Sequence, residues 1–355
     1  MQKEECRMKK PGSMKTKHLL QSAGLTLVSA FSLQPSALFA QGGLTPPGAP
    51  APAMKTLDQV YVKLDPRTAI TNAASGYTIN APGSYYLAAN LTVSSGDGIT
   101  ITTNGVTLDL NGFTISSTAP SATGYGILLN GGLSDLTIFN GHIRGGVTNN
   151  GSGVYGGSGF QYGIHSAGTA PVNTRVTGVS VAGCLAHGIY LGTGDSTVVE
   201  SCTVRTMGGS GIVASTIKSS VAVDCRGTAV YGDQVSDSRG ECTGDNGGDN
   251  FGLRATTALN CYGSTGGGHG TGLDAATALN CYGYSSFGAS TGLHANTALN
   301  CYGANSNNGH GLDASDVAIG CRGYSASGTG LWAYIANSCR VAGGTTNITY
   351  KYNMP

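Results

Sequence analysis

The chain has 355 residues, of which 58 are glycine and only 10% are charged, against roughly 25% charged residues in an ordinary soluble domain. Nineteen basic and 18 acidic residues leave a formal net charge of +1, so the chain lacks the overall basic excess of proteins that bind nucleic acid or an anionic membrane. Few charges and many glycines favour tight turns and stacked strands.

The first 40 residues have the pattern of an export signal. A basic segment at 14–18 precedes an apolar run at 19–33, and Ala37-Leu38-Phe39-Ala40 follows, which is typical of a signal peptide cleaved after a small residue. We therefore predict a leader over 1–40 that starts at Met14, and a secreted or cell-surface protein. The apolar run is interrupted by polar residues and is too short for a membrane span.

The segments that flank the main body differ from it in composition. Residues 41–53 are rich in proline and glycine and predict a linker without packing of its own. Residues 54–84 carry the first charges after the predicted leader, Lys55 and Arg67 among them, and predict a polar N-terminal cap with the first strands. Residues 345–355 are polar and predict a C-terminal cap or tail.

From Tyr85 onward the chain shows the period of strands. In the run that begins at Val106, the side chains of Val106, Leu108 and Leu110 alternate with those of Thr107 and Asp109, as in a strand with one buried face. Similar short runs, separated by Gly or Asn, recur to the end of the chain without a helical period. The pattern predicts an all-β fold.

The stretch 258–314 repeats itself three times. Ala-Leu-Asn-Cys-Tyr-Gly recurs with Cys261, Cys281 and Cys301 at intervals of 20 residues. A unit of this length cannot bury a core alone, so its apolar positions must be covered by the units before and after it. The repeat predicts a solenoid.

Two runs resemble a known family. Leu-Asp-Leu-Asn-Gly-Phe-Thr-Ile at 108–115 and the run from Leu136 to Gly145 are similar to coils of secreted right-handed parallel β-helix proteins of the pectate-lyase-like superfamily. The resemblance covers roughly residues 80–345 and implies a right-handed parallel β-helix of about 12 coils over 85–344. It does not select a function, because this fold carries lyases, hydrolases, epimerases and non-catalytic proteins.

Nine cysteines follow the leader, about one per repeat, between Cys184 and Cys339. We expect Leu259 and Cys261 to point inward, with the thiols forming a buried stack of small apolar side chains. Disulfides between neighbouring coils and a metal site are the alternatives.

A first outward row follows from this register. If Cys261 points inward, Tyr262 points outward, and Tyr282 and Tyr302 follow in the next coils about 4.8 Å apart. Arg322 and Arg340 continue the row, and we expect Arg226 to precede it. The tyrosines and Arg322 could bind successive rings of an acidic polysaccharide; alternatively, the tyrosines stabilise neighbouring coils by packing.

A second outward row consists of Arg254, Asp274, His294, Asp313 and Trp332. Its alternating charges fit a row in which neighbouring side chains form ion pairs with one another. Alternatively, Asp274 and Asp313, two coils or about 9.6 Å apart, are the carboxylates of an inverting glycosidase, with His294 between them. Trp332 either covers the last coils or stacks on a sugar.

Enzyme motifs of the superfamily are incomplete. His269 and His310 each lie in a Gly-His-Gly triplet of the kind found in polygalacturonases, but the accompanying Asp-Asp and Arg-x-Lys pairs are missing. Asp245 and Asp249 lie in the only acidic, oxygen-rich loop, which is either a candidate calcium site or a solvated turn.

The longest insertion, residues 145–170, predicts a surface loop that presents Tyr155, Phe160 and Tyr162 to a ligand.

Three functions follow from these patterns. Ordered outward rows without a complete catalytic set favour a secreted, non-catalytic β-helix that binds polysaccharide or acts at the cell surface. The alternatives are a lyase or glycosidase acting on an acidic glycan, and a purely structural or adhesive solenoid.

Overall fold

The chain forms a right-handed parallel β-solenoid of about 13 turns, as the repeat predicts. The structure is a computed structural model that describes residues 55–56, 60, 65–71, 73–193, 196–244, 250–267 and 270–354. Residues 57–355 belong to one compact unit, which is described here by itself. The predicted leader and linker lie outside the described residues and stay predictions. No helix in the described part of the chain is long and apolar enough to cross a membrane.

Each complete coil has three faces, which we name A, B and C in chain order. In one early coil they are Ile99–Ile101, Val106–Asp109 and Thr114–Ser117. The next coil lies on this one in parallel register: Ile99 pairs with Ile127, and Leu108 pairs with Ile138. The inward side chains of successive coils therefore form one continuous core.

The strands number 30 within the described residues, and 28 of them belong to one sheet. The first coils contain β1 (Thr68–Ile70), β2 (Tyr77–Ile79), β3 (Gly83–Leu87), β4 (Leu91–Val93), β5 (Ile99–Ile101), β6 (Val106–Asp109), β7 (Thr114–Ser117), β8 (Tyr125–Leu129) and β9 (Ser134–Arg144). The middle coils contain β12 (Tyr162–Ser166), β13 (Val172–Cys184), β14 (Ile189–Gly192), β15 (Thr197–Glu200), β16 (Thr203–Met207), β17 (Ile212–Ala214), β18 (Thr216–Lys218), β19 (Val221–Cys225), β20 (Val230–Ser236) and β21 (Arg239–Cys242). The last coils contain β22 (Leu253–Leu259), β23 (Tyr262–Thr265), β24 (Leu273–Leu279), β25 (Tyr282–Ser285), β26 (Thr291–Leu299), β27 (Tyr302–Asn305), β28 (His310–Ile319), β29 (Arg322–Asn337) and β30 (Arg340–Tyr352).

The insertion at 145–170 is a hairpin rather than an open surface loop. Strands β10 (Gly146–Asn149) and β11 (Tyr155–Ser158) pair antiparallel, apart from the main sheet. The expectation that Tyr155 and Phe160 face a ligand is wrong, because both side chains are buried. Phe160 lies in the main core, and Tyr155 packs with Ala122 and Val147 in a small separate core. Tyr162 lies in β12 on face A and is half-buried.

A single left-handed residue makes the corner between faces B and C. Asn260, Asn280 and Asn300 have φ angles of 54°, 52° and 52°, a region that asparagine tolerates better than most residues. The Nδ2 atom of Asn280 donates to Oδ1 of Asn260 at 3.2 Å, so the corner side chains form a ladder along the stack. The same corner recurs at Asn140, Gly178, Ser201, Ser219, Asp237, Gly320, Ser338 and Asn353.

The expectation that Leu259 points inward is wrong, and the corner residue explains why. Leu259 is 38% exposed, whereas Ala258 and Cys261 are buried. A strand alternates strictly, but the left-handed residue Asn260 adds one position between the strands. Ala258 and Cys261 can therefore both point inward, and Leu259 points outward.

The inward position of the thiols is confirmed, because the nine described cysteines are all free and buried. They form two columns rather than one stack. Cys184, Cys225 and Cys242 lie at the end of face C, with Met207 in register between the first two. The other column follows the left-handed corner and consists of Cys202, Ser220, Ser238, Cys261, Cys281, Cys301, Cys321 and Cys339.

The corner column is held by hydrogen bonds. The backbone N–H of Cys281 donates to Sγ of Cys301 at 3.4 Å, and the N–H of Cys202 donates to Oγ of Ser220 at 3.2 Å. Serine and cysteine are therefore equivalent in this column, because the side chain of each accepts a hydrogen bond from the backbone N–H of the preceding coil. The cysteines are unevenly spaced in the sequence because those between Cys184 and Cys261 belong to two different columns.

Candidate ligand-binding site

The predicted tyrosine row lies on face C. Tyr262, Tyr282, Tyr302 and Arg322 are in register on successive coils. The ring centroids of Tyr262 and Tyr282 are 5.2 Å apart with planes at 72°, and those of Tyr282 and Tyr302 are 5.0 Å apart and nearly parallel. Burial raises the pKa of Tyr282, and its tyrosine neighbours raise it further.

The basic ends of this row differ in part from the expectation. Arg239, not Arg226, precedes Tyr262, because Arg226 follows the inward Cys225 at the end of face C. Arg239 lies 5.2 Å over the Tyr262 ring and pairs with Glu241, while Arg322 lies 5.1 Å over Tyr302.

The tyrosines contact one another along the stack, so the surface presents mainly ring edges and hydroxyl groups. This arrangement fits the packing alternative. A role for Tyr262, Tyr282, Tyr302 and Arg322 in binding stays a prediction.

The second predicted row lies on face A, where Arg254, Asp274, His294, Asp313 and Trp332 are in register. Nδ1 of His294 is 2.6 Å from Oδ1 of Asp274, and Nε of Arg254 is 3.4 Å from Oδ2 of Asp274. Both oxygens of Asp274 therefore have a partner.

Asp313 also has a partner. Nδ1 of His310 is 3.4 Å from Oδ2 of Asp313. The hydrogen bond that His294 donates to Asp274 raises the pKa of His294, and the contact with Asp313 raises that of His310. These contacts fit a row whose charged side chains pair with one another. A catalytic role for Asp274, His294 or Asp313 stays a prediction, as does sugar stacking by Trp332.

The candidate calcium ligands Asp245 and Asp249, together with His269, lie outside the described residues. Among the described residues, no group of three or more His, Cys, Asp or Glu side chains is placed to hold a metal ion.

The sequence reasoning missed a cluster of aromatic rings on face A, formed by Tyr125, Tyr162, His165, His187 and Tyr190. Centroids of contacting rings are 4.3 to 5.7 Å apart. Burial lowers the pKa of His187 to about 4, with a further contribution from His165. A recurring triplet, Tyr or His followed by Gly-Ile, marks these positions in the sequence at 125, 162 and 187.

A groove of about 770 Å³ on face C was also missed. Thr114, His142 and Ser180 line it on three successive coils, and Arg144 and Arg205 lie in the adjacent column. Strand β10 of the hairpin forms its wall. Because its lining residues come from successive coils, the groove runs along the solenoid.

Asp224 fixes the hairpin beside the groove. The Tyr155 hydroxyl and Nδ2 of Asn149 each donate to Oδ1 of Asp224 at 2.7 Å, and the Thr206 hydroxyl donates to Oδ2 at 2.8 Å. Burial acts to raise the pKa of Asp224, but these hydrogen bonds lower it overall. The wall of the groove is thus attached to the rigid coil stack.

Arg144 and Arg205 are exposed, and neither forms an ion pair with a described residue. By contrast, Arg67, Arg175 and Arg254 each pair with a carboxylate. The groove therefore offers two uncompensated guanidinium groups to a ligand.

Comparison with known proteins yields little beyond the fold. No protein-family model and no curated protein matches the chain. Among solved structures, it is similar to a tailspike protein of Acinetobacter baumannii bacteriophage Fri1, a capsular polysaccharide depolymerase, with a TM-score of 0.35 and 10% identity over 81% of this chain and 57% of that chain. It is also similar to the Dettilon tailspike protein, with a TM-score of 0.31 and 11% identity over 78% of this chain and 54% of that chain.

The chain thus spans a little more than half the length of these two proteins. Likeness at this level assigns no function to the chain. Membership of the pectate-lyase-like superfamily and secretion stay predictions.

Proposed function

We propose that this protein binds an acidic polysaccharide along face C. The observation that supports the proposal is the distribution of charge on that face. Its outward residues include five arginines, Arg144, Arg205, Arg239, Arg322 and Arg340, against two carboxylates, Glu241 and Asp224.

Over the whole chain, by contrast, basic and acidic residues are nearly balanced, 19 against 18. Guanidinium groups bind carboxylate and sulfate through paired, charge-assisted hydrogen bonds. The five arginines lie along the coil axis, so a linear polyanion can contact several of them in succession.

Binding is a better fit than cleavage at this face. The nearest carboxylates are both engaged: Asp224 accepts hydrogen bonds from the hairpin, and Glu241 pairs with Arg239. The groove also carries the hydroxyl groups of Thr114 and Ser180, which can exchange hydrogen bonds with sugar hydroxyls.

The first test replaces both groove arginines. Arg144→Ala with Arg205→Ala should weaken retention in native gels that contain polygalacturonate or hyaluronan by tenfold or more, because two charge-assisted contacts are lost. Arg175→Ala is the matched control, since Arg175 is exposed on face B and pairs with Glu200. Added salt should weaken wild-type retention.

The proposal is wrong if neither gel retards the wild-type protein, or if Arg175→Ala weakens retention as much as the double change in the groove.

The second test concerns the tyrosine row. Replacing Tyr282 and Tyr302 together with Ala should weaken retention by a smaller factor, since stacked rings contribute edges and hydroxyls but no charge. Unchanged retention at an unchanged melting temperature would remove the row from the binding surface.

A further inference from the structure

We infer that the groove on face C selects a polyanion that carries its charge on every second sugar. The inference rests on the proposed function and names the class of polysaccharide. It is carried by the positions of Arg144, Ala182 and Arg205.

These three residues occupy one outward column. Ala182 is in register with Arg144 on one side and with Arg205 on the other. The two arginines are therefore two coils apart, about 9.6 Å at the spacing of parallel strands. The methyl group of Ala182 occupies the position between them.

An extended sugar chain that lies along the groove advances by about one coil spacing per ring. If every ring carried a carboxylate, the first and third would meet Arg144 and Arg205, but the second would lie against the Ala182 methyl group. A carboxylate that loses water without gaining a partner is destabilised. If only alternate rings are charged, each carboxylate meets an arginine and the neutral ring lies over Ala182.

The neighbouring column suits a neutral ring at this position. Ser180 lies beside Ala182 on the same strand, and its register partners are His142 and Thr203. On the other side, Thr148 and Asn149 of the hairpin line the groove. Hydroxyl groups on both sides can bind sugar hydroxyls without requiring charge.

The test compares two polymers of known charge spacing. Oligosaccharides of hyaluronan, with a carboxylate on alternate sugars, and of polygalacturonate, with one on every sugar, are matched in number of carboxylates. Titration calorimetry on the wild-type protein should give about tenfold tighter binding for hyaluronan. Arg144→Ala and Arg205→Ala should each remove most of this preference.

Ala182→Arg supplies the complementary change, because it places a guanidinium group on the middle coil. Polygalacturonate binding should then strengthen about tenfold and the preference should disappear. Ala182→Ser, which adds no charge, should leave the preference as in the wild type. An unchanged melting temperature verifies that each variant is folded.

Equal wild-type affinities, or tighter binding of polygalacturonate, would overturn the inference while leaving the proposed function in place. The same holds if Ala182→Arg folds but leaves the ratio unchanged. Binding of neither polymer would overturn both the inference and the proposed function.

Discussion

The regular coils at 253–339 and the irregular coils at 99–244 differ in which polar side chains have a partner within the protein. In the regular coils, Tyr282 lies between two tyrosines, and Asp274 lies between Arg254 and His294. In the irregular coils, Arg144 and Arg205 have no ion-pair partner among the described residues. A repeated unit can place complementary groups within reach of one another, as with Asp274 and His294, whereas the irregular coils bring no described carboxylate to Arg144 or Arg205.

The two regions also fill their cores differently. The irregular coils bury large side chains such as Ile99, Leu108 and Ile115, whereas the regular coils bury Ala275, Ala278 and their equivalents. Glycines at the entry to face A permit close approach of neighbouring groups in both regions, for example Gly126 and Gly292.

The largest expected effect concerns one of these glycines. A Cβ atom at Gly292 would lie 2.3 Å from the carbonyl oxygen and 2.5 Å from the amide nitrogen of Ala304. Both are backbone atoms of β27 on face C and cannot rotate away. Gly292→Ala should lower the free energy of unfolding by about 3 kcal/mol, measured by chemical denaturation.

The control for this change is Gly156→Ala in the hairpin, where a Cβ atom would meet nothing within 4 Å. That variant should be as stable as the wild type. If Gly292→Ala were equally harmless, the regular coils would be more loosely packed than the structure shows.

The next effect contrasts the histidines of the two regions. The folded pKa of His187 is about 4, below the unfolded value of roughly 6.5, so stability should fall as the pH drops from 6.5 toward 4. The folded pKa of His294 is raised, so its contribution is complete below pH 6.5 and is lost as the pH rises through the folded value.

Two matched variants separate these effects. His187→Asn retains an acceptor for the N–H of Ser210, which bonds Nδ1 of His187 at 2.9 Å, and should reduce the acid loss by on the order of 2 kcal/mol. His294→Asn retains a donor toward Asp274. This variant should lose less stability than the wild type as the pH rises from neutral to alkaline values. Denaturation midpoints from pH 4 to 9 measure both pH effects. If the variants lose stability with pH as the wild type does, His187 and His294 are not the groups responsible.

The smallest effect concerns the corner column. Cys301→Ser should cost less than about 1 kcal/mol, because Ser220 and Ser238 already occupy this column and accept the same type of hydrogen bond. Cys301→Ala should cost about 1 to 2 kcal/mol more, since it leaves the buried N–H of Cys281 without its acceptor. Equal losses for the two variants, measured by thermal denaturation, would indicate that the thiol acts only by its volume.

The sequence was sufficient for the architecture and for the registers of the last coils, because identical spacing between Cys261, Cys281 and Cys301 aligns everything around them. It misplaced Leu259 because strict alternation does not allow for a left-handed residue at the corner. It joined two thiol columns into one stack because Ser220 and Ser238 replace cysteine in the corner column, between Cys202 and Cys261.

The groove could not be predicted in the same way. Arg144, Ala182 and Arg205 lie on coils of unequal length, so their spacing in the sequence does not place them in one column. The wall depends on a long-range contact between Tyr155 and Asp224, and no local pattern encodes it. Whether the tyrosine row on face C binds a ligand is decided by the replacement of Tyr282 and Tyr302.

The one-residue corner between faces B and C has a consequence for how such a chain can change. From Asn140 onward the corner has the same left-handed geometry in coil after coil, so differences in coil length must be taken up at the other two corners. New sequence inserted between faces C and A, as in the hairpin at 146–158, appears next to the outward columns of face C. Insertions at that edge can therefore reshape the proposed binding surface without altering the register of the stack, which makes it the natural place to engineer a change of that surface.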